Sequence, residues 1–141
     1  MNLLLDTNVI SELIAPKPNL AILNWLDAQD ADQVYLSVLT IGEICKGIEK
    51  LPESKRKQSL RDWLNNDLPT RFSNRILTIN ASVMMTWGIL IAQQERIGRP
   101  LPALDSLIAA SALHYRCQLV TRNEKDFDST GISVINPWKQ A

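Results

Sequence analysis

The sequence predicts an α/β fold, a parallel sheet covered by helices on both faces. Two observations predict it. Short apolar runs recur at residues 2–6, 34–38, 76–79, 118–121 and 132–135, each of strand length and rich in Leu, Ile or Val. Between them lie longer stretches whose apolar residues repeat at helical spacing. Strands buried on both faces read as continuous apolar runs, and parallel neighbours need helical crossovers. The chain has 141 residues, 45% of them apolar, with no internal repeat or linker, so one domain over residues 1–141 is expected.

The elements follow in order. NLLLD (2–6) is the first strand, and Asn8 to Ala15 a short helix stopped by Pro16 and Pro18. Asn19 caps a second helix with Ile22, Leu23 and Leu26 on one face. VYLSV (34–38) is the second strand, followed by a helix carrying Ile41, Ile44, Cys45 and Ile48. A highly charged helix is expected from about Glu53 to Asn66, with Leu60, Trp63 and Leu64 inward. ILTI (76–79) precedes a long helix capped by Asn80, and Pro100 and Pro102 end that helix. A further helix runs through Leu104, Leu107, Ile108, Ser111, Ala112 and Tyr115. QLVT (118–121) and ISVI (132–135) complete the sheet.

Composition excludes several classes. Lys+Arg and Asp+Glu balance at 15 each, so no bulk positive charge marks a nucleic-acid binder, although basic residues gather between Lys46 and Arg99. Cys45 and Cys117 are the only cysteines, have no metal-ligand spacing and read as buried free thiols of a reducing cytosol. Asp6 interrupts the first apolar run, and no later run is long enough for a bilayer, so a cytoplasmic chain without a membrane role is expected. His114 is the only histidine and reads as structural, and the five glycines are too scattered for a phosphate loop.

In an open parallel sheet, ligands bind beyond the carboxyl ends of the strands. Asp6 ends the first strand, Glu43 lies early in the helix after the second, Asp105 follows Pro102, and Asn123 and Asp126 follow the fourth strand. Each has a local explanation. Asp6 or Asn8 can be an N-cap, Glu43 can close a capping box with Thr40 in TIGE, Asp105 can complement a helix dipole, and Asn123 with Asp126 can shape a turn. All of them falling at one sheet edge is harder to explain locally. Two carboxylates sharing a site at a separation of about 5 Å repel by about 3 kcal/mol at an effective dielectric near 20. Several in one pocket raise each other's pKa or require a cation. Oxygen donors without His or Cys favour Mg²⁺ or Mn²⁺, which can activate water for phosphoryl displacement.

LLLDTNVISE, LSVLTIGEICKGI, ALDSLIAASA and LVTRNEKDF, in that order, together with the closing INPW, resemble PIN-domain ribonucleases. The resemblance is to the VapC toxins of type II toxin–antitoxin systems, in particular their FitB-like branch. It implies a PIN-like three-layer α/β/α sandwich with a central, mostly parallel five-stranded sheet. It further implies an endoribonuclease dependent on Mg²⁺, with Mn²⁺ as a substitute, acting on tRNA or other structured RNA. The expected partners are a VapB- or FitA-like antitoxin and a second copy of the chain, with operator DNA joining a higher assembly. Matched by position, Asp6, Glu43 and Asp105 are the first three acids, Asp6 and Asp105 the metal ligands, and Asn123 occupies the fourth catalytic position as an amide. Thr7, Thr121 and Asp126 would support the site, and Lys46, Lys50 and Arg122 are candidate RNA phosphate contacts. An amphipathic groove near Ile10–Leu13 and Ile44–Leu51 would receive the antitoxin. Two other readings remain at this stage. One is a catalytically weak PIN-like scaffold that binds RNA or a partner. The other is a haloacid-dehalogenase-type phosphatase, which wants an Asp where Asn8 stands.

Overall fold

Leu3–Leu5 form the central strand, β1, and alternate between two cores. Leu3 and Leu5 enter one core with Val9, Ile10, Ile22, Ile44 and Phe72, whereas Leu4 enters the other with Leu90, Ile108 and Leu119. That alternation is the strand period of two, and it sets a helical layer on each face of the sheet. The computed structural model describes residues 1–140.

The first layer holds α1 (Thr7–Glu12), α2 (Leu20–Asp27), α3 (Val38–Glu49), α4 (Lys55–Asp62), α5 (Leu68–Arg71) and α8 (Pro137–Gln140). The second holds α6 (Ala81–Arg96) and α7 (Ala103–Tyr115). The remaining strands are β2 (Val34–Ser37), β3 (Ile76–Leu77), β4 (Gln118–Val120) and β5 (Val134–Ile135). The five-stranded sheet has the order β3-β2-β1-β4-β5, and its pairings are parallel. The register sets Leu3 beside both Val34 and Gln118. Because the order reverses at β1, the crevice between the carboxyl ends of β1 and β4 is the place where such a sheet opens to a ligand.

Several expectations need correction. The outer strands are shorter than their apolar runs, since Thr78 and Ile79 leave the β3 ladder and Ile132 and Ser133 precede β5. The charged helix does not run unbroken: Ser54 caps it, and a π turn at Trp63–Asp67 separates α4 from α5. There the Leu68 N–H reaches back to Trp63 O, and Pro69 has no N–H to continue the α ladder. Cys45 is exposed while Cys117 is buried, because Cys45 follows Ile44 off the buried stripe of α3. Lys57 is 5% exposed, with its ammonium donating to Glu49 O and Leu51 O at 3.2 and 2.9 Å and pairing with Glu53. It closes the carboxyl end of α3, where orphan carbonyls accept a cation. His114 lies with Nδ1 3.4 Å from the Thr86 hydroxyl, between α6 and α7.

Candidate active site

Asp6 leaves β1 in extended backbone (φ −73°, ψ 162°) and caps α1, its Oδ1 accepting the Thr7 N–H at 2.8 Å. Its Oδ2 accepts the Thr121 hydroxyl at 2.8 Å, across 115 positions of sequence. The carboxylate is therefore both a helix cap and a link from the end of β1 to the end of β4. It is 8% exposed, and burial pushes its pKa up, with the charges of Glu43 and Asp126 adding to the rise against the two hydrogen bonds.

Thr7, the first residue of α1, donates its hydroxyl to Glu43 Oε1 at 2.7 Å. The alternative role weighed for Glu43, a capping box with Thr40, is not realised. Ser37 caps α3, accepting the Leu39 N–H at 3.1 Å, which leaves Glu43 in the second turn and free to face α1. Thr40 is buried with its hydroxyl 3.3 Å from that of Thr7. Asp105 sits half-buried in the first turn of α7, behind Pro102. Burial raises its pKa, and the charges of Asp6, Asp126 and Glu43 raise it further. Four acids from four segments thus act on one region at the sheet's carboxyl edge.

The fourth position divides in two. Asn123 is exposed, and its side chain caps nothing, while its backbone N–H donates to Thr121 Oγ1 at 3.1 Å. Asp126, in the 3-10 turn Glu124–Phe127, supplies the charge felt at Asp6 and Asp105. Thr121 is wholly buried and saturated: it donates to Asp6 and accepts from Asn123 and, at 3.2 Å, from Asn8 Nδ2. Asn8 also accepts the Arg122 N–H at 3.4 Å. From the sequence Asn8 reads as an alternative cap and as the position where a haloacid-dehalogenase-type phosphatase would carry Asp. Its place two residues after Asp6, on the helix face turned to the end of β4, was the available signal.

The expected cations separate. Lys46 follows Glu43 by one turn of α3 and lines a surface groove of about 330 Å³ with Val38, Glu43 and Leu104. Lys50 is not among the residues lining that groove. The helix runs away from the carboxyl edge, and Lys50 lies about 10 Å farther along its axis than Glu43. Arg122 stands on the rim with its guanidinium 5.5 Å from the centre of the Trp138 ring. The expected groove lies between the expected helices: Ser11, Ile44, Ile48 and Leu51 line a cavity of about 240 Å³ with Ile14 and Leu60, and Thr7 and Glu43 are also on its wall, whereas Ile10 is wholly buried.

Among the described residues no group of three or more Asp, Glu, His or Cys side chains is placed to hold a metal ion. The chemistry of the donors still fits a hard divalent cation. They are all carboxylates, and two of them, Asp6 and Asp105, resist ionisation as they stand. Mg²⁺ keeps several waters and takes one or two carboxylates directly, so it does not require a closed cage.

A fold of this order with acids at the β1/β4 switch point defines a PIN-type protein, and the PIN domain family model matches residues 3–132. The chain belongs to the PIN-domain family and, within it, to the VapC toxins that include FitB. It is 39% identical to the plasmid stability protein StbB of Pseudomonas syringae pv. tomato, over 97% of this chain and 99% of that one. It is 34% identical to the toxin FitB of Neisseria gonorrhoeae, over 96% and 98% of the two chains. It is 33% identical to the VapC ribonuclease Y4jK of Sinorhizobium fredii, over 99% of each. The crystal structure of FitAcB from Neisseria gonorrhoeae superposes with a TM-score of 0.91 at 34% identity, covering 96% of this chain and 98% of that one. The structure of FitAB bound to an IR36 DNA fragment does so with the same TM-score at 33% identity, covering 96% and 95%.

Proposed function

We propose that this chain is the toxin of a type II toxin–antitoxin pair, an endoribonuclease that uses Mg²⁺ to cleave structured RNA. One observation carries the reading: at the sheet's carboxyl edge burial pushes both Asp6 and Asp105 toward protonation, and the charges of Glu43 and Asp126 push both further. Concentrated like charge is a cost to the fold, and a cation-dependent site is the function that offsets it.

Asp6 and Asp105 would hold the cation, with Glu43 and Asp126 adding charge around it. When bound, the cation would polarise water and offset charge on the phosphoryl oxygens. Thr121 and the Thr7 N–H fix the Asp6 carboxylate by one bond to each oxygen. Thr7 fixes Glu43 by one oxygen only, which leaves Oε2 as the group to accept a proton from the attacking water. Lys46 would meet substrate phosphate beside Glu43.

The relatives named VapC ribonuclease and toxin FitB, and the FitAB structure, support an antitoxin of the VapB or FitA type as partner. The apolar cavity between α1, α3 and α4 is its docking groove, reaching Glu43. Met84, Met85 and Ile89 on α6 and Leu104 on α7, exposed by 41 to 72%, are the apolar surface for a second copy of the chain.

The test is cleavage of total RNA with Mg²⁺ and then with EDTA. Discrete fragments that vanish on chelation are expected. Cleavage indifferent to EDTA would refute the metal mechanism, and binding without cleavage would leave only an RNA- or partner-binding scaffold.

A further inference from the structure

Arg122 is anchored from three directions. Its N–H donates to Asn8 Oδ1 at 3.4 Å, its carbonyl accepts Asn136 Nδ2 at 3.4 Å, and its guanidinium lies over the Trp138 ring. Asn136 is buried and also accepts the Trp138 N–H, so INPW is one device whose amide fixes both the indole and the arginine backbone. Trp138 in turn packs against the core of the first helical layer. Among the described residues no carboxylate pairs with Arg122, whereas Arg71 and Arg99 each have one and Arg61 has two. An exposed arginine held this firmly without an acid is spare binding capacity.

Arg122 opens onto a pocket of about 360 Å³ that it shares with Asn123, Glu124, Lys125, Asp126 and Lys139. Lys139 is spent on Glu124, and Lys125 has no acid partner among the described residues. Asp126 joins this pocket to the acidic site, since its charge reaches Asp6 and Asp105. The pocket is thus a cationic ledge continuous with the acids.

We infer that this ledge is a phosphate subsite for the RNA strand, in which Arg122 contacts a phosphodiester next to the cleaved one and Trp138 and Asn136 are positioning residues that aim it. The inference rests on the ribonuclease reading for its substrate, but its test does not need turnover. A planar guanidinium matches phosphate by paired N–H bonds, and stacking on an indole fixes its plane beforehand.

The experiment measures binding of a fluorescein-labelled single-stranded RNA in EDTA, by anisotropy at several salt concentrations, for the unmodified chain, Arg122→Ala, Trp138→Leu, Trp138→Phe and the Arg122→Ala/Trp138→Leu double variant. Arg122→Ala is expected to weaken binding severalfold, irrespective of RNA sequence, and to lower the salt slope by about 0.7 for the lost phosphate contact. Trp138→Leu should reproduce part of that loss, Trp138→Phe should retain binding, and the double variant should bind no worse than Arg122→Ala alone. Melting curves identify any variant whose loss is a loss of folding, and Trp138→Phe keeps the question open should Trp138→Leu unfold. In a cleavage assay Arg122→Ala should raise KM more than it lowers kcat. An unchanged salt slope in Arg122→Ala overturns the proposal even if the chain cleaves RNA. So do strictly additive losses. Absence of cleavage with an intact Arg122-dependent salt slope would instead refute the nuclease and leave the subsite standing.

Discussion

Two charged regions of this molecule handle carboxylates in opposite ways. At the carboxyl edge of the sheet, burial pushes Asp6 and Asp105 up in pKa, and the charges of neighbouring acids add to the rise. At the far end of α3, Glu49 and Glu53 face Lys57 and Arg61 and are held below the usual carboxylate range, chiefly by hydrogen bonds from Arg61 and Lys57 respectively. The second region is compensated, and its buried Lys57 finds two carbonyls and one carboxylate. The first collects like charges and leaves them unbalanced. The contrast teaches that acid count alone does not mark a site. A site is marked by acids that the fold could have paired and did not.

The largest expected effect breaks the first region. Asp105→Asn should lower ribonuclease turnover on the order of a hundredfold or more and abolish growth inhibition on expression. In EDTA the same variant should melt higher than the unmodified chain, because it removes one repelling charge. A fully toxic Asp105→Asn protein would remove the site assignment. Mg²⁺ at a hundred times its dissociation constant should stabilise the unmodified chain by about 2.7 kcal/mol and do far less for Asp105→Asn; calorimetry with and without the ion reads both.

The regions should also part company with pH. Asp6 and Asp105 bind protons more tightly folded than unfolded, so the stability they contribute without metal is full below about pH 4 and is lost as pH rises through their raised values. Glu49 and Glu53 contribute stability above the ordinary carboxylate range and lose it as pH falls through their lowered values. Denaturant midpoints in EDTA across this range should flatten on the alkaline side in Asp105→Asn and on the acid side in Glu53→Gln.

Smaller effects sharpen the contrast. Lys57→Met should cost about 1–3 kcal/mol, since it strands two carbonyls at the end of α3. Asn123→Asp should tighten metal binding modestly in titration calorimetry by adding a charge beside Asp126. No change would place residue 123 outside the ion's reach. Arg61→Ala should hardly move the melting temperature, because its partners are exposed.

Much of the architecture was legible because its signals are local. Asn19 and Asn80 accept N–H bonds from Ala21 and Val83 as caps, and the runs LLL, VYLS and QLV are strands. The acids were legible as residues that end strands or open helices. Less legible was anything that depends on a distant partner. Lys57 reads as one solvated lysine among several until the end of α3 is placed beside it. Cys45 lies next to an apolar stripe, and only packing decides that it faces outward. Lys46 and Lys50 are alike in composition, but the direction of α3 keeps one near Glu43 and carries the other away.

By itself, then, the sequence determined the order of strands and helices, because apolar periodicity and capping act over a few residues. It also determined which acids end up at the sheet's carboxyl edge, because parallel strands share one polarity. The tertiary structure alone decided that Thr121 holds Asp6, that Thr7 holds Glu43, that the charge of Asp126 reaches Asp6 and Asp105, and that Trp138 braces Arg122. These pairings join residues far apart in the chain, and their energies depend on burial and distance, which come into being only when the layers close around the sheet.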